Sequence, residues 1–390
     1  MEEPDLPLSF DYLGSDLTEL ILTHLPLPSI VRAASVCKLW RSIVTTPSFS
    51  ARVRAKPWFF LFGQNNIFLK NNQAFAFDPE SDSWIRLPAH LFPPLDSSSS
   101  SYIGSNGFFF TTSANFTFTP ILKPRAWRDT SPLRFPRCNP LVGVYTDASS
   151  RSPRFIVVGG VKFIGGLVDI EDRLAVEIYN PRFNAWELCP PLPANFRSGN
   201  SSQWLSSALF KGKFYVFGIY SCFVSAFDLN KRFWSSVQTL RPPGVLFSYL
   251  LSCQDRLILA GLCNAPPRGP SFELWKVDEE TMEFSEVAIM PQELLHCLFD
   301  SDEDDKFASL KCVGLRDLIY VFNEAHYRKY PACVCEIGSD FGKCSWRRVP
   351  SLPEPVNRFH KVISFCSTVS LENVVCPAVV EELRPEQALY

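Results

Sequence analysis

Residue types that commonly carry out catalysis or bind metals are few in this sequence and poorly spaced for either role. None of the five histidines stands at a spacing typical of a metal site or a catalytic triad. Of the thirteen cysteines only Cys333 and Cys335 lie close together, as C-x-C, and no C-x-x-C pair occurs. No glycine-rich loop of the phosphate-binding kind appears either. The sequence therefore predicts a protein with no metal, no cofactor and no catalytic residues.

The densest group of binding-type side chains is a basic stretch in the first third of the chain. It contains five cationic residues against a single acidic one, Asp129, with Trp127 and Phe135 between them. Clustered arginines bind phosphate groups or acidic segments of a partner, so this stretch is a candidate substrate-binding surface. The alternative is a solvated basic loop without a binding role. The five cations are Lys123, Arg125, Arg128, Arg134 and Arg137.

Composition and charge exclude several classes of partner. The 390 residues are 46% hydrophobic and 20% charged, with a net charge of −2. This balance gives no electrostatic reason to expect binding to nucleic acid or to an anionic membrane. No apolar run is long enough to span a bilayer, and the start, Met1–Asp5, is acidic where a targeting peptide would be basic. We expect a protein of the cytoplasm, the nucleus or both.

Residues 1–50 are predicted to form a helical unit. Apolar residues at helical spacing indicate a first helix that ends before Pro26, with Asp16 and Glu19 placed like a capping box. Pro28 suits the first turn of a second helix, and a third ends before Pro47. The apolar positions that define the first helix are Leu17, Leu20, Ile21 and Leu25.

This helical unit is too short to be stable alone. A segment of about 50 residues buries little surface, and its apolar residues are too many to point at one small interior. Either the rest of the chain or another protein must cover them.

Residues 51–370 show a repeat in place of helical periodicity. In each copy a strand ends in an aromatic or aliphatic residue, and an aromatic residue recurs after a polar turn, as from Phe77 to Trp84. The copies recur at roughly 50 residues, the period of a kelch-type propeller blade. Six such anchors, each preceded by a strongly apolar strand, predict six blades with the anchors packed between them. The anchors are Trp84, Trp127, Trp186, Trp234, Phe284 and Trp346.

The first blade lacks its innermost strand, because the helical unit ends just before Trp58. Residues 360–366, apolar at alternate positions, follow the last complete blade with no other strand to pair with. We expect this segment to insert as the missing strand and to close the ring, which removes free sheet edges. Residues 371–390 are expected to form a loosely ordered tail.

The helical unit resembles the F-box, and the body resembles a degenerate kelch propeller. Of the kelch double glycines only Gly159-Gly160 remains complete. This order of units is similar to that of the plant F-box/kelch-repeat proteins, which implies a mainly β fold with a small three-helix F-box before a six-bladed propeller. The residues that match the F-box are Leu17, Ile21, Leu25-Pro26, Ile30, the run VCKLWRSI at 36–43, and Pro47-Ser48-Phe49.

In that family the F-box binds a Skp-type adaptor, which docks on a cullin scaffold, and the propeller presents a protein for ubiquitination. The resemblance implies the substrate-recognition subunit of an SCF-type E3 ubiquitin ligase, itself non-catalytic, with an unknown protein substrate. Carried over by position, the adaptor-binding residues are Leu17, Ile21, Leu25, Pro26, Ile30, Val36, Cys37 and Trp40.

Two other functions remain open on the sequence alone. A scaffold that binds the adaptor and a partner without causing ubiquitination would need the same surfaces. A propeller enzyme with an axial metal or small-molecule site is a more distant alternative, since its nearest hint is Tyr327 beside His326.

Overall fold

The computed structural model describes most of the chain between Gly14 and Val374. No helix among the described residues is both long and apolar enough to cross a membrane. The described residues are 14–65, 67–88, 101–112, 116–123, 127–146, 152–164, 167–169, 174–197, 203–266, 269–299, 309–326, 329–338 and 343–374.

The N-terminal unit, here called the head, consists of four short helices. They are α1 (Ser15–Thr23), α2 (Leu27–Ala33), α3 (Lys38–Val44) and α4 (Pro47–Arg52). The first three correspond to the predicted helices. The fourth is additional, because Pro47 takes its first position and Thr46 accepts a hydrogen bond from the backbone N–H of Phe49. Pro47 therefore both ends one helical stretch and begins the next.

The predicted capping box at Asp16 and Glu19 is wrong. Gly14 is the N-cap of α1, and no side chain caps this helix. Because the helix begins before Asp16, that carboxylate lies in the first turn and does not act as a cap. Its negative charge there interacts favourably with the positive end of the helix dipole. Glu19 instead forms an ion pair with Arg52 of α4 at 3.1 Å, which ties the first helix to the last.

Six antiparallel sheets follow the head and form the predicted six-bladed propeller. Blade 1 contains β1 (Trp58–Gln64), β2 (Gln73–Asp78) and β3 (Ser83–Leu87), and blade 2 contains β4 (Ser101–Ser105), β5 (Phe108–Thr112), β6 (Phe116–Pro120) and β7 (Arg128–Asp129). Blade 3 contains β8 (Leu141–Thr146) and β9 (Pro153–Val158), then a separate hairpin of β10 (Lys162–Ile164) and β11 (Leu167–Asp169), then β12 (Val176–Asn180) and β13 (Ala185–Cys189). Blade 4 contains β14 (Leu205–Phe210), β15 (Lys213–Gly218), β16 (Phe223–Asp228), β17 (Phe233–Trp234) and β18 (Gln238–Thr239).

The chain continues through two more blades and returns to the first. Blade 5 contains β19 (Val245–Cys253), β20 (Arg256–Ala265), β21 (Gly269–Val277) and β22 (Phe284–Ile289), and α5 (Gln292–His296) follows it. Blade 6 contains β23 (Leu310–Leu315), β24 (Leu318–Asn323), β25 (Ala332–Ile337) and β26 (Cys344–Arg348). The last elements are β27 (Lys361–Ser367) and α6 (Leu371–Val374).

The innermost strand of blade 1 is β27, from the end of the chain. It pairs antiparallel with β1 and places Phe365 opposite Phe60. The Phe365 ring stacks with the rings of Phe60, Phe62 and Phe109, at centroid distances of 5.1, 5.8 and 6.0 Å. A Cβ atom at Gly104 would come within 2.0 Å of the same ring, so the neighbouring strand needs glycine there. Blades 1 and 2 are therefore joined through one aromatic core.

Three of the aromatic anchors tie each blade to the one before it. Trp84, Trp186 and Trp234 each donate the indole N–H to a backbone carbonyl oxygen of the segment that leaves the preceding blade, at 2.8–3.0 Å. Trp127 packs instead against the core that the head shares with blades 1 and 2. Phe284 has no N–H to donate and is more exposed, at 36%. These four tryptophan anchors thus have a packing role.

The head and the propeller share a single hydrophobic core. Leu22, Val44 and Phe49 of the head are buried in the same cluster as side chains of blades 1 and 2. Leu371 and Val374 of α6 are buried in this cluster as well. The prediction of a loose tail from residue 371 is therefore wrong for its first turn, because two apolar side chains anchor it. Residues 375–390 lie outside the described part of the chain.

The direction of the inner strands defines two faces of the propeller. The inner strands are β4, β8, β14, β19, β23 and β27. The head lies at the face where they end, since β27 leads into α6 and Arg316, in the turn after β23, donates to the backbone oxygen of Ala55 at 3.3 Å. We call this the head-side face and the opposite one, where the inner strands begin, the far face.

Candidate functional site

Most of the large apolar side chains that remain exposed lie at two ends of the described structure. Such patches on a soluble protein commonly mark surfaces that contact a partner. On the head they are Leu17, Leu20, Ile21, Val36 and Leu39. On the far face they are Ile67, Phe68, Trp204, Tyr220 and Leu246.

The apolar stripe of α1 points away from the protein's own core. Leu17 and Leu20 are 53% and 56% exposed, and Ile21, the next residue after Leu20, is exposed as well. The buried positions of this helix are Thr18 and Leu22. Positions that repeat every three or four residues lie on one helix face, so the stripe forms a continuous apolar surface.

A second part of this surface lies between α2 and α3. Val36 is the most exposed of these side chains, at 66%, and Leu39 follows one turn later. Cys37 is the N-cap of α3, where its Sγ accepts a hydrogen bond from the backbone N–H of Trp40 at 3.4 Å. The cap fixes the start of α3 and thereby the direction in which Val36 and Leu39 project.

The predicted adaptor-binding residues fall into three groups. Leu17, Ile21, Val36 and Cys37 are exposed, as a contact surface requires. Leu25, Pro26 and Trp40 are half-buried, and Leu25 and Trp40 pack against the shared core. Ile30 must be corrected, because its side chain is fully buried in that core and supports the surface without reaching it.

Leu20 and Leu39 belong to the exposed apolar surface of the head but were not among the predicted contact residues. The signal for both was present, since Leu20 lies three residues after Leu17 and Leu39 lies three residues after Val36. We call the set Leu17, Leu20, Ile21, Val36 and Leu39 the head patch.

The basic stretch does not form one surface. Lys123 follows β6 on the head-side face, Arg128 lies on the outer strand β7, and Arg134 lies beyond that strand towards the far face. All three are exposed. Arg125 lies outside the described residues. The stretch runs along the outer edge of blade 2 from one face to the other, so its cations are not collected at one site.

Arg137 is a structural residue, and its assignment to a substrate surface is wrong. Its guanidinium donates to Glu177 Oε2 and to the backbone oxygen of Ala175, both at 2.6 Å. Glu177 Oε1 accepts in turn from the backbone N–H of Arg134 at 2.8 Å. The side chains of Arg137 and Glu177 are each 1% exposed. A buried arginine paired in this way joins the segment after blade 2 to β12 of blade 3 and cannot meet a partner.

The propeller axis contains a cavity of about 710 Å³, lined by all six inner strands. Its charged groups lie at the far-face mouth. Lys361, at the start of β27, donates from Nζ to Asn139 Oδ1 at 2.8 Å, across the mouth at the start of β8. Lys311 at the start of β23 forms an ion pair with Glu324 at 3.4 Å. Among the described residues, the mouth therefore holds two ammonium groups and one carboxylate.

Burial shifts the pKa values of the groups around this mouth. Loss of solvent lowers the pKa of the Lys361 ammonium and raises that of the Glu324 carboxyl, which Lys311 partly offsets. Burial also raises the pKa of Tyr220, and the negative charge of Glu324 raises it further.

The described residues contain no group of three or more His, Cys, Asp and Glu side chains that could hold a metal ion.

Comparisons with known proteins agree with this architecture. The model of the F-box domain matches residues 10–52, which include all four helices of the head. An F-box/kelch-repeat protein of Arabidopsis thaliana is 28% identical, over 93% of this chain and 91% of its own length. A second F-box/kelch-repeat protein of the same plant is 24% identical, over 72% of this chain and 64% of its own length. The UNUSUAL FLORAL ORGANS protein of Arabidopsis thaliana is 23% identical, over 79% of this chain and 73% of its own length.

The family model and the relatives confirm the resemblance that the sequence predicts. The relatives match across the propeller as well as the head, so the likeness is not limited to one short domain. The chain thus carries an F-box domain ahead of a six-bladed propeller and is similar, over most of its length, to the plant F-box/kelch-repeat proteins.

Proposed function

We propose that this protein is the substrate-recognition subunit of an SCF-type E3 ubiquitin ligase. In this role the F-box binds a Skp-type adaptor, and through it a cullin scaffold, while the propeller binds the protein to be ubiquitinated. The protein contributes binding surfaces and no catalytic residue of its own. We expect it in the cytoplasm, the nucleus or both, where such ligases work.

The head patch is the observation that carries the proposal. The head already buries one side on the propeller through Leu22, Val44 and Phe49, so its own fold does not require the outer stripe. Five large apolar side chains nevertheless remain exposed there. Exposure of these side chains to water is unfavourable. A partner that covers them removes apolar surface from water, and this burial contributes favourable free energy of binding.

Binding to a purified Skp-type adaptor tests the proposal. A carboxylate placed in an apolar interface must be desolvated without a partner, so Leu17→Asp and Val36→Asp should each weaken binding on the order of 30-fold or more. Both sites are exposed, and the melting temperature should stay unchanged. Isothermal titration calorimetry with the full chain measures the affinity.

Leu188→Asp provides the matched control. Leu188 is similarly exposed, at 47%, but lies on the outer strand β13. This variant should bind the adaptor like the wild type. Equal loss in all three variants, or no binding by the wild-type protein, would contradict the adaptor role.

The ubiquitination step needs a separate measurement. Depletion of a ligase subunit lengthens the half-life of its substrate, whereas depletion of a non-degradative scaffold leaves that half-life unchanged. Pulse-chase labelling measures the half-life of a captured partner in cells that contain either the wild-type protein or the Val36→Asp variant. A longer half-life with the variant indicates a ligase subunit, and an unchanged half-life indicates a scaffold.

A further inference from the structure

The far face combines an aromatic patch with a cationic cavity mouth. Trp204, at the start of blade 4, is 52% exposed and packs its ring against that of Tyr220 at 5.5 Å. Tyr220 lies in the turn after β15 and contacts the Phe247 ring at 6.1 Å, while neighbouring Leu246 is 48% exposed. Exposed Trp and Tyr residues held in place by packing are typical anchors of protein–protein contacts.

The backbone holds this patch in a defined shape. Ile219 N–H donates to the backbone oxygen of Trp204 at 2.9 Å, and Ser248 N–H donates to the oxygen of Ile219 at 3.0 Å. These bonds link the start of β14, the turn after β15 and the start of β19. Leu246 lies at an irregularity in the β19–β20 register, between Val245 and Phe247, where a bulge redirects the side chain. The patch is therefore rigid before any partner arrives, which lowers the entropic cost of binding.

The mouth next to the patch carries a cation whose partner is neutral. Lys361 Nζ donates to the Asn139 amide oxygen, and no carboxylate of the described residues forms an ion pair with it. Lys311, by contrast, already has Glu324. Gln203 lines the same cavity as Asn139 and Lys361 and directly precedes Trp204, so the chain passes from the cavity lining into the aromatic patch. A half-buried ammonium with only a neutral partner is complementary to an incoming carboxylate.

We propose that this far-face site binds an extended peptide segment in which an acidic side chain pairs with Lys361 and an apolar side chain rests on Trp204, Tyr220 and Leu246. The proposal rests on the proposed receptor function and names the surface and the class of substrate segment. It also places the substrate at the opposite face from the head. The adaptor and the substrate can then bind together, because the body of the propeller separates their surfaces.

Selection of peptides on the far face is the direct test. Random peptides displayed on phage are selected on the immobilised full chain bound to its Skp-type adaptor, and enriched sequences are synthesised with a fluorescent label. We expect them to share an Asp or Glu near an aliphatic or aromatic residue. Fluorescence anisotropy then gives their affinity for the variants.

The variants separate the two parts of the site. Trp204→Ala combined with Tyr220→Ala should weaken binding on the order of 30-fold, and Lys361→Met about tenfold, whereas Lys361→Arg should retain most of the affinity. Replacing the acidic residue of the peptide by alanine should remove the effect of Lys361→Met. Phe183→Ala and Lys276→Met, at exposed positions away from the far face, serve as matched controls and should bind normally. Unchanged melting temperatures show that the variants fold.

Three outcomes would overturn the proposal. The first is the absence of any enriched peptide. The second is peptide binding that the variants of Trp204 and Lys361 leave unchanged. The third is self-association of the protein that is lost with Trp204→Ala/Tyr220→Ala. The last result would assign the patch to a second copy of the chain. Adaptor binding is measured on the same samples, because its loss would contradict the adaptor role, whereas loss of peptide binding alone would contradict only the far-face site.

Discussion

The head and the propeller use apolar residues in opposite ways. In the propeller the apolar strands turn inward, and rings such as Phe60 and Phe365 stack between strands of the closed ring. In the head the most regular apolar stripe, represented by Leu17 and Leu20, faces solvent, and a threonine, Thr18, is buried instead. Similar sequence signals therefore describe a self-contained core in one region and an exposed apolar surface in the other.

The difference follows from size and closure. A ring of six blades gives each apolar face a neighbouring blade to pack on, so no partner is needed. The head has four helices of six to nine residues and can cover only one side of itself. Contacts with the propeller stabilise it on that side, and the other side remains exposed.

The largest expected effect tests closure of the ring. Phe365→Ala removes a ring that stacks with Phe60, Phe62 and Phe109, and it opens a cavity between β27, β1 and β4. The free energy of unfolding should fall by about 3–5 kcal/mol. Chemical denaturation measures the loss. Phe183→Ala, at a side chain that is 71% exposed, should change it by less than about 0.5 kcal/mol. Similar small effects at both positions would show that β27 does not complete the core.

The second prediction concerns Arg137, which the sequence placed on a candidate substrate surface, and its buried partner Glu177. Arg137→Met leaves the buried Glu177 carboxylate without its cation and should cost about 3–5 kcal/mol of stability. Arg137→Met combined with Glu177→Leu removes both charges and should recover most of that loss. Denaturation of the two variants, compared with Arg134→Met at an exposed position, measures the effect. If Arg137→Met were as stable as the wild type but lost substrate binding, Arg137 would be a substrate-binding residue after all.

The third prediction compares the two sides of α1. Leu22→Ala removes a side chain that is 1% exposed and should destabilise the head by about 2 kcal/mol or more, with little direct effect on the adaptor contact. Leu20→Ala should do the reverse, leaving stability within about 0.5 kcal/mol and weakening adaptor binding. Hydrogen exchange of the α1 amides reports the first effect, and calorimetric titration with adaptor reports the second. If Leu20→Ala destabilised the head and Leu22→Ala weakened adaptor binding instead, the stripe at Leu17 and Leu20 would pack inward in solution.

Much of the fold could be predicted because it repeats. The spacing of residues such as Trp84 and Trp186 indicated the blades, since each blade must place an aromatic ring against the one before it. The need for a partner of β1 identified the segment near Phe365, which in the structure pairs with that strand. Local details without a repeat, such as the N-cap at Gly14, were not predictable in the same way.

The binding surfaces were only partly predictable, for a physical reason. Charge pattern does not show burial, so Arg137 and Arg134 looked alike in sequence although one forms a buried ion pair and the other is exposed. The far-face patch brings Trp204, Tyr220 and Leu246 together from three separate segments, and no linear spacing relates them. Three residues of the head patch, Leu17, Ile21 and Val36, were among the predicted contact residues, because helix α1 and the turn before α3 are short segments with recognisable sequence patterns.

The smallest expected effect separates the two kinds of tryptophan. Trp186→Phe retains most of the packing but removes the indole N–H that donates to the backbone oxygen of Ser131, and should cost about 1 kcal/mol. Trp204→Phe, at an exposed ring on the far face, should change stability by less than about 0.5 kcal/mol. Thermal unfolding of both variants in parallel measures the difference. Equal losses would show that Trp204 is one more structural residue, which would also remove the main anchor of the far-face site. A loss confined to Trp186 would support the view that the far-face ring is maintained for contact with a partner.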